Sequence, residues 1–191
     1  MRILILDGTL KENKTSSDIV ECFRVISEHN SFELDVVNLK EHDISYCRGC
    51  FNCWTKTPGE CVIDDDARDI CAKLVNSDLV VYLTPIVYGM YSPALKVFLD
   101  RSIPLIHPFF KKIDGEYHHR QRYDKYPSLF GIGLLETEDP ELEEIFQRNI
   151  SRNALNMHSP STYCKVYYTA TPRGGLQSEI ESHLSALEVV A

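Results

Sequence analysis

Residues 2–9 read Arg2-Ile3-Leu4-Ile5-Leu6-Asp7-Gly8-Thr9, a short unbroken apolar run that stops at a polar residue, a glycine and a hydroxyl. An apolar run of that length without alternation reads as a strand buried on both faces, the habit of a parallel sheet. From about Thr15 to Glu28, Ile19, Phe23 and Ile26 recur at helical spacing, with Thr15, Ser16 and Ser17 as candidate caps. Strand, turn and helix thus open the chain in the order of a βαβ unit.

Further along, the same alternation repeats. Phe32, Leu34, Val36 and Val37 suggest a second strand, Ala67, Ile70, Cys71, Leu74 and Val75 a second helix, and Leu79 to Leu83 a third strand. Ser92 followed by Pro93 starts a helix that carries Leu95, Val97, Phe98 and Leu99 toward the core. A strand over Leu129 to Leu135, a helix from Pro140 to about Leu155, a strand over Tyr163 to Thr169 and a helix over Leu176 to Val189 follow. Five strands alternating with helices in 191 residues suit an α/β, doubly wound parallel sheet of order 2-1-3-4-5, with right-handed crossovers. One domain over 1–191 is expected, with a cysteine-rich insert at 46–63 and an aperiodic arm at 107–127.

Lys and Arg number 20 against 28 Asp and Glu, a formal charge of −8 that repels polyanions and removes nucleic acid from the expected partners. No apolar stretch has the length of a signal peptide or of a bilayer span, so a cytoplasmic protein without a membrane partner is expected.

In a doubly wound sheet, ligands bind beyond the carboxyl ends of the strands where the winding reverses, here after strands one and three. The first of these loops, DGTLKENKTSSD at 7–18, sets Thr9, Thr15, Ser16 and Ser17 with their amides at a helix N-terminus, where the dipole favours a phosphate. It lacks both the triphosphate-loop pattern and G-x-G-x-x-G, which leaves a flavin mononucleotide phosphate beside the plain alternative of a capped helix that binds nothing. The second loop lies in TPIVYGMYSPALKVFLDR at 84–101, where Pro85 stiffens the backbone, Gly89 permits close approach and Tyr88 offers a flat aromatic surface. Alone it reads as an ordinary strand-to-helix turn; both loops at one sheet edge favour a binding site.

Seven cysteines are present, and Cys47, Cys50, Cys53 and Cys61 fall in one window of CRGCFNCWTKTPGEC, where uniform scatter would put about half of one. The spacing C-x2-C-x2-C-x7-C lets three thiolates wrap three corners of a four-iron four-sulfur cubane, and the Pro58-Gly59 turn lets Cys61 return to the fourth. Zinc competes, although structural zinc sites commonly place a longer stretch between two C-x2-C hairpins. Reduced thiols without metal also remain open, whereas a disulfide is disfavoured in the cytosol. Cys22, Cys71 and Cys164 sit in apolar patterns as small hydrophobes. Phe51 and Trp54 either shield a cluster or serve as core or interface aromatics, and Asp64, Asp65 and Asp66 open the second helix, where they most simply meet its dipole.

The arm, HPFFKKIDGEYHHRQRYDKYP at 107–127, gathers His118, His119, Arg120, Arg122 and Lys125 into a basic patch. It reads as a lid or partner-subunit arm that meets the phosphate of NADPH or an anionic substrate, or else as a solvated interface loop.

On Gly8-Thr9 through Thr15-Ser16-Ser17, the segment Cys47 to Asp66, the block Thr84 to Arg101 and the stretch HHRQRYDKYP, the chain resembles the flavodoxin-like NADPH-dependent FMN reductase superfamily, and within it the iron-sulfur flavoproteins. The resemblance implies a flavodoxin-like sheet and FMN, with the phosphate in the loop of Thr9, Lys11, Thr15, Ser16 and Ser17, and the ring near Pro85, Ile86, Val87, Tyr88 and Gly89. It also implies a homodimer or homotetramer, and NAD(P)H or a ferredoxin-like donor as electron source. Family members often carry Asn-Gly-Ser-Pro-Arg where this chain has Asp7-Gly8-Thr9-Leu10-Lys11, a departure that would be unfavourable beside a phosphate unless the Asp7 carboxylate points away.

Three functions of different classes follow. The first is an FMN oxidoreductase, whose cofactor carries the chemistry, so that no side chain is nominated as acid or base. The second is a flavodoxin-like carrier without its own substrate, against which the long arm argues. The third is a phosphoacceptor receiver, for which Asp7 fits but Thr84-Pro85 and Thr171-Pro172 do not.

Overall fold

The structure, a computed structural model, describes residues 1–11, 13–113, 115–169 and 175–187. The chain opens with strand β1 (Arg2–Asp7), helix α1 (Lys14–Asn30) and strand β2 (Glu33–Asn38), then a single helical turn, α2 (Asn52–Thr55), inside the cysteine segment. Helix α3 (Ala67–Val75), strand β3 (Leu79–Pro85) and helix α4 (Pro93–Arg101) come next, followed by strands β4 (Ile106–Ile113) and β5 (Glu116–Gln121). Strand β6 (Ser128–Leu135), helix α5 (Pro140–Asn156), strand β7 (Thr162–Tyr168) and helix α6 (Leu176–Ala186) complete it.

Five strands form one parallel sheet in the order β2-β1-β3-β6-β7. The unbroken apolar run of β1 has its cause here, because successive side chains of a strand point to opposite faces and both faces are covered. Ile3 and Ile5 pack with α1 and α6 through Ile19, Phe23, Ile180 and Leu184. Leu4 and Leu6 pack on the other face with Ile70, Leu95, Phe98 and Phe146 of α3, α4 and α5. All four β1 side chains are essentially removed from water, each contributing about 1.5–3 kcal/mol of transfer energy.

The arm corrects the sequence reading. The stretch expected to have no period is the antiparallel hairpin of β4 and β5, a two-stranded sheet of its own, and its two strands intervene in the chain between the third and fourth strands of the main sheet. Alternation is missing because neither face is buried along its length: Phe109, Phe110 and Tyr117 are 64%, 58% and 76% exposed, and the pairing shifts register between Ile106 and Phe110.

Helix starts also differ in detail. The cap of α1 is Asn13, whose Oδ1 accepts from Ser16 N at 3.1 Å, so Thr15, Ser16 and Ser17 lie within the helix instead of capping it. At α4, Ser92 caps as expected, accepting from Leu95 N at 3.3 Å with Pro93 in the first turn. Helix α6 is described to Ala186; Val189 and Thr171-Pro172 lie outside the described residues. Among the described residues, no helix is long and apolar enough to cross a membrane.

Candidate functional site

The carboxyl ends of β1, β3, β6 and β7 share one edge, and a cavity of about 590 Å³ opens there. Thr9, Lys11 and Asn13 line it from the first loop, Pro85, Ile86 and Val87 from the second, and Ser92 and Pro93 from the start of α4. Leu134 and Leu135 at the end of β6 and Glu136, Thr137 and Asp139 in the loop after it close it, with Thr169 after β7. Gly8 lets the first loop descend onto α4, since a Cβ there would stand 2.7 Å from Ser92 Oγ and 2.9 Å from Leu95 Cβ. The two loops singled out in the sequence therefore meet in one cavity. Leu134, Leu135, Glu136, Thr137, Asp139, Leu142 and Thr169 were missed, although every parallel strand delivers its carboxyl end to the same edge.

The hydroxyls of the first loop and the start of α1 bond to the protein itself. Thr15 Oγ1 donates to the Thr169 carbonyl at 3.1 Å, Ser17 Oγ to the Asn13 carbonyl at 3.2 Å, and Ser16 Oγ to Asp7 Oδ2 at 3.3 Å. Asp7 Oδ1 also accepts from Thr9 N at 2.9 Å. The buried Asp7 carboxylate thus occupies two donors that were expected to face a phosphate, and Thr15, Ser16 and Ser17 do not line the cavity. Only Thr9 and Lys11 of the five expected loop residues do.

The second loop ends in a tight turn. Val87 and Met90 exchange two backbone hydrogen bonds of 2.9 Å, and Tyr88 and Gly89 between them both have positive φ, 51° and 75°. This is the pattern of a type I′ turn, strained for a tyrosine. A Cβ on Gly89 would lie 2.5 Å from Ile145 Cγ2, so the turn sits hard against α5. Tyr88, 90% exposed, stands at the turn tip and neither it nor Gly89 lines the cavity.

The second cluster of chemistry lies at the other end of α4. Gly49 and Phe51, both with positive φ (62° and 54°), coil the segment around Cys47, Cys50 and Cys53, and the hydrogen bond from Gly59 N to the Cys53 carbonyl at 3.0 Å turns the chain back. All four cysteines line one small pocket with Asp100 and Arg101. Cys47 and Cys50 are exposed, Cys61 half-buried and Cys53 buried. Burial pushes the Cys53 thiol up, and the neighbouring Cys61, Cys47 and Cys50 push it further. Among the described residues, no three His, Cys, Asp or Glu side chains are arranged to hold a single metal ion.

Beside the thiols lies a buried ion pair that the sequence reading missed. Arg101 has no exposed side-chain surface, and its terminal nitrogens donate to Asp65 at 2.6 Å and 2.9 Å. Burial would raise the Asp65 carboxyl, but hydrogen bonds from Arg101 and Ser45 N and the charge of Arg101 hold it below the usual carboxylate range. Burial would lower the Arg101 pKa, yet Asp65 and Cys61 raise it. The three aspartates before α3 therefore do more than meet its dipole: Asp65 pairs with Arg101, Asp66 accepts from Asp43 N at 2.9 Å, and Asp64 pairs with Arg68 at 2.8 Å.

The basic patch of the arm is largely committed. His118 is buried between Asn156 and Glu116, Arg122 Nε donates to the Pro104 carbonyl at 2.8 Å, and Lys125 pairs with Asp78 at 2.5 Å. None of these residues lines the edge cavity. Trp54 joins the cysteine turn to the hairpin, donating from Nε1 to the Ile106 carbonyl at 2.9 Å and stacking on Phe51 with its ring 5.0 Å from that of His119.

Residues 1–116 match the family model described as NADPH-dependent FMN reductase. Curated relatives include an iron-sulfur flavoprotein of Archaeoglobus fulgidus, 29% identical over 107 residues that cover 56% of this chain and 48% of the relative. Another, from Methanocaldococcus jannaschii, is 30% identical over 106 residues covering 55% and 53%. The chain spans about half the length of the curated relatives it matches. Among solved structures, an NAD(P)H:quinone oxidoreductase from Methanothermobacter marburgensis superposes with a TM-score of 0.70 at 12% identity, covering 95% of this chain and 96% of that one. An FMN-dependent NADH-azoreductase from Bacillus anthracis, in complex with FMN, gives 0.60 at 15% identity, covering 97% and 98%. At such identities the likeness is one of fold.

Proposed function

The chain belongs to the NADPH-dependent FMN reductase family, and from that premise we propose that it is an FMN-dependent oxidoreductase passing electrons from NAD(P)H or a reduced carrier to an acceptor. The observation that carries this reading is the edge cavity, whose volume of about 590 Å³ falls in the range of cofactor sites and whose lining divides into a polar and an apolar part. Thr9, Lys11 and Asn13 would hold the phosphate end, with Lys11 as the cation, while Pro85, Ile86, Val87, Leu135 and Leu142 would hold the ring and exclude water. When bound, FMN supplies redox chemistry that joins a two-electron donor to one- or two-electron acceptors. Thr15, Ser16 and Ser17 then act by shaping the loop, and Tyr88 presents its ring at the mouth. Exposed Phe109, Phe110 and Tyr117 on the hairpin support self-association into a homodimer or homotetramer.

The reading extends to Cys47, Cys50, Cys53 and Cys61 as ligands of a four-iron four-sulfur cluster, which would supply one-electron transfer. Their shared pocket supports it, as do the curated relatives named iron-sulfur flavoproteins. The arrangement suits a cluster better than zinc, because a cubane takes each thiolate on a different iron whereas zinc needs all four around one centre.

Anaerobic purification with FMN, iron and sulfide, followed by visible spectra, metal analysis and NAD(P)H oxidation, tests both parts. Flavin bands, iron and turnover are expected. A protein that takes up no FMN ends the main reading; flavin without iron ends the cluster; FMN binding without nicotinamide oxidation leaves the carrier-fed reaction, read with a reduced ferredoxin.

A further inference from the structure

Arg101 holds five N–H donors in a rigid plane, and four of them are accounted for by two nitrogens. Nη1 donates to Asp65 Oδ2 at 2.6 Å and to the Ser45 carbonyl at 2.8 Å; Nη2 donates to Asp65 Oδ1 at 2.9 Å and to the Ile63 carbonyl at 3.4 Å. Nε has no partner although it is fully buried. A buried donor on a charged group left unpaired costs more than an ordinary hydrogen bond contributes, so such an atom calls for an acceptor. Since the fork on Asp65 fixes the guanidinium plane, the direction of the Nε–H is fixed with it. Arg101 lines the cysteine pocket and also a neighbouring cavity of about 600 Å³, and Cys61 lines both. No carboxylate other than Asp65 accepts a hydrogen bond from Arg101 among the described residues.

We propose that Arg101 Nε donates a hydrogen bond to Cys61 Sγ when that thiolate ligates the cluster, and that this bond raises the reduction potential of the cluster. The inference rests on the reading of the four cysteines as cluster ligands. A hydrogen bond to a ligand sulfur stabilises the more negatively charged reduced state more than the oxidised one, and Arg101 stays cationic in both. The Arg101 side chain is fully buried, and the low local dielectric strengthens the effect.

The test compares wild type with Arg101→Lys, which keeps a cation against Asp65 but has no Nε donor. Both proteins are reconstituted anaerobically with iron and sulfide and titrated by EPR at poised potentials; wild type is also made with 15N-arginine for pulsed EPR of the reduced cluster. The expected results are equal iron content, a 15N coupling in wild type, and about a tenfold lower ratio of reduced to oxidised cluster in Arg101→Lys at the wild-type midpoint, about 59 mV for one electron. An unchanged ratio in an iron-replete variant overturns the inference while leaving the cluster reading intact. If the variant does not fold, the 15N coupling is read in Arg48→Lys, which removes the other arginine of the cysteine pocket: its presence supports the bond, and its absence refutes it. Wild type without iron removes the cluster reading and the inference together.

Discussion

Asp7 ends β1 two residues before Thr9, which lines the cavity proposed to take a phosphate, yet its carboxylate is turned into the loop, accepting from Thr9 N and Ser16 Oγ. Two donors are thereby withdrawn from any ligand, and a negative charge stays close to where a dianion would lie. Asp7→Asn keeps an acceptor for Thr9 N and removes the charge. At a dielectric near that of water, as at an open cavity edge, the relief is on the order of 1 kcal/mol, so FMN should bind roughly fivefold more tightly, read by quenching of flavin fluorescence during titration. Unchanged affinity would place Asp7 outside the field of the phosphate. Its position was legible in the sequence as a departure from Asn-Gly-Ser-Pro-Arg, but its partners were not. Ser16 reaches it only because Asn13, not one of the hydroxyl residues, caps α1 and brings Ser16 round on the first turn.

At the scale of elements, the cysteine segment and the hairpin depend on one another through Trp54. Helix α2 is one turn long and cannot hold itself, so the indole hydrogen bond to the Ile106 carbonyl and the stacking on Phe51 do much of the fixing. Trp54→Phe should cost about 1–2 kcal/mol, the worth of a buried hydrogen bond plus lost packing. By hydrogen exchange, residues 47–61 should lose protection while β1 and β3 keep theirs; equal loss across the sheet would mean that Trp54 supports the whole fold. The helices α4 and α5 were readable from their starts, since Ser-Pro and Asp-Pro pairs carry both cap and first-turn signals. The hairpin was not, because Pro108 and two solvated faces erase the period-two pattern that a buried face imposes.

Over the whole molecule, α4 links the two candidate centres: Ser92 and Pro93 line the edge cavity, Asp100 and Arg101 the cysteine pocket, and Pro93 to Arg101 is a rise of about 12 Å. Global stability should depend on two histidines that line neither pocket. Burial lowers the His158 pKa, with Lys111 and His118 adding to it against the His119 carbonyl; burial also lowers that of His183, with Lys165 adding to it against Glu179. The unfolded chain protonates them near pH 6.5 and the folded chain only lower, so stability is full above about 6.5 and declines as pH falls through and below that value. Urea midpoints should drop between pH 7.5 and 5.5 in wild type and drop less in a His158→Gln, His183→Gln double variant. An equal drop in both would assign the effect to carboxylates. The sequence by itself determined the parallel α/β sheet, the two loops at its edge and the grouping of four cysteines, because these rest on local periodicity, turn residues and spacing. Only the tertiary structure decided which donors face the cavity, that the arm is a hairpin, and that Asp65 and Arg101 meet across 36 residues. Those outcomes depend on which buried polar group finds which partner, a choice made between segments distant in the chain, and no local pattern records it.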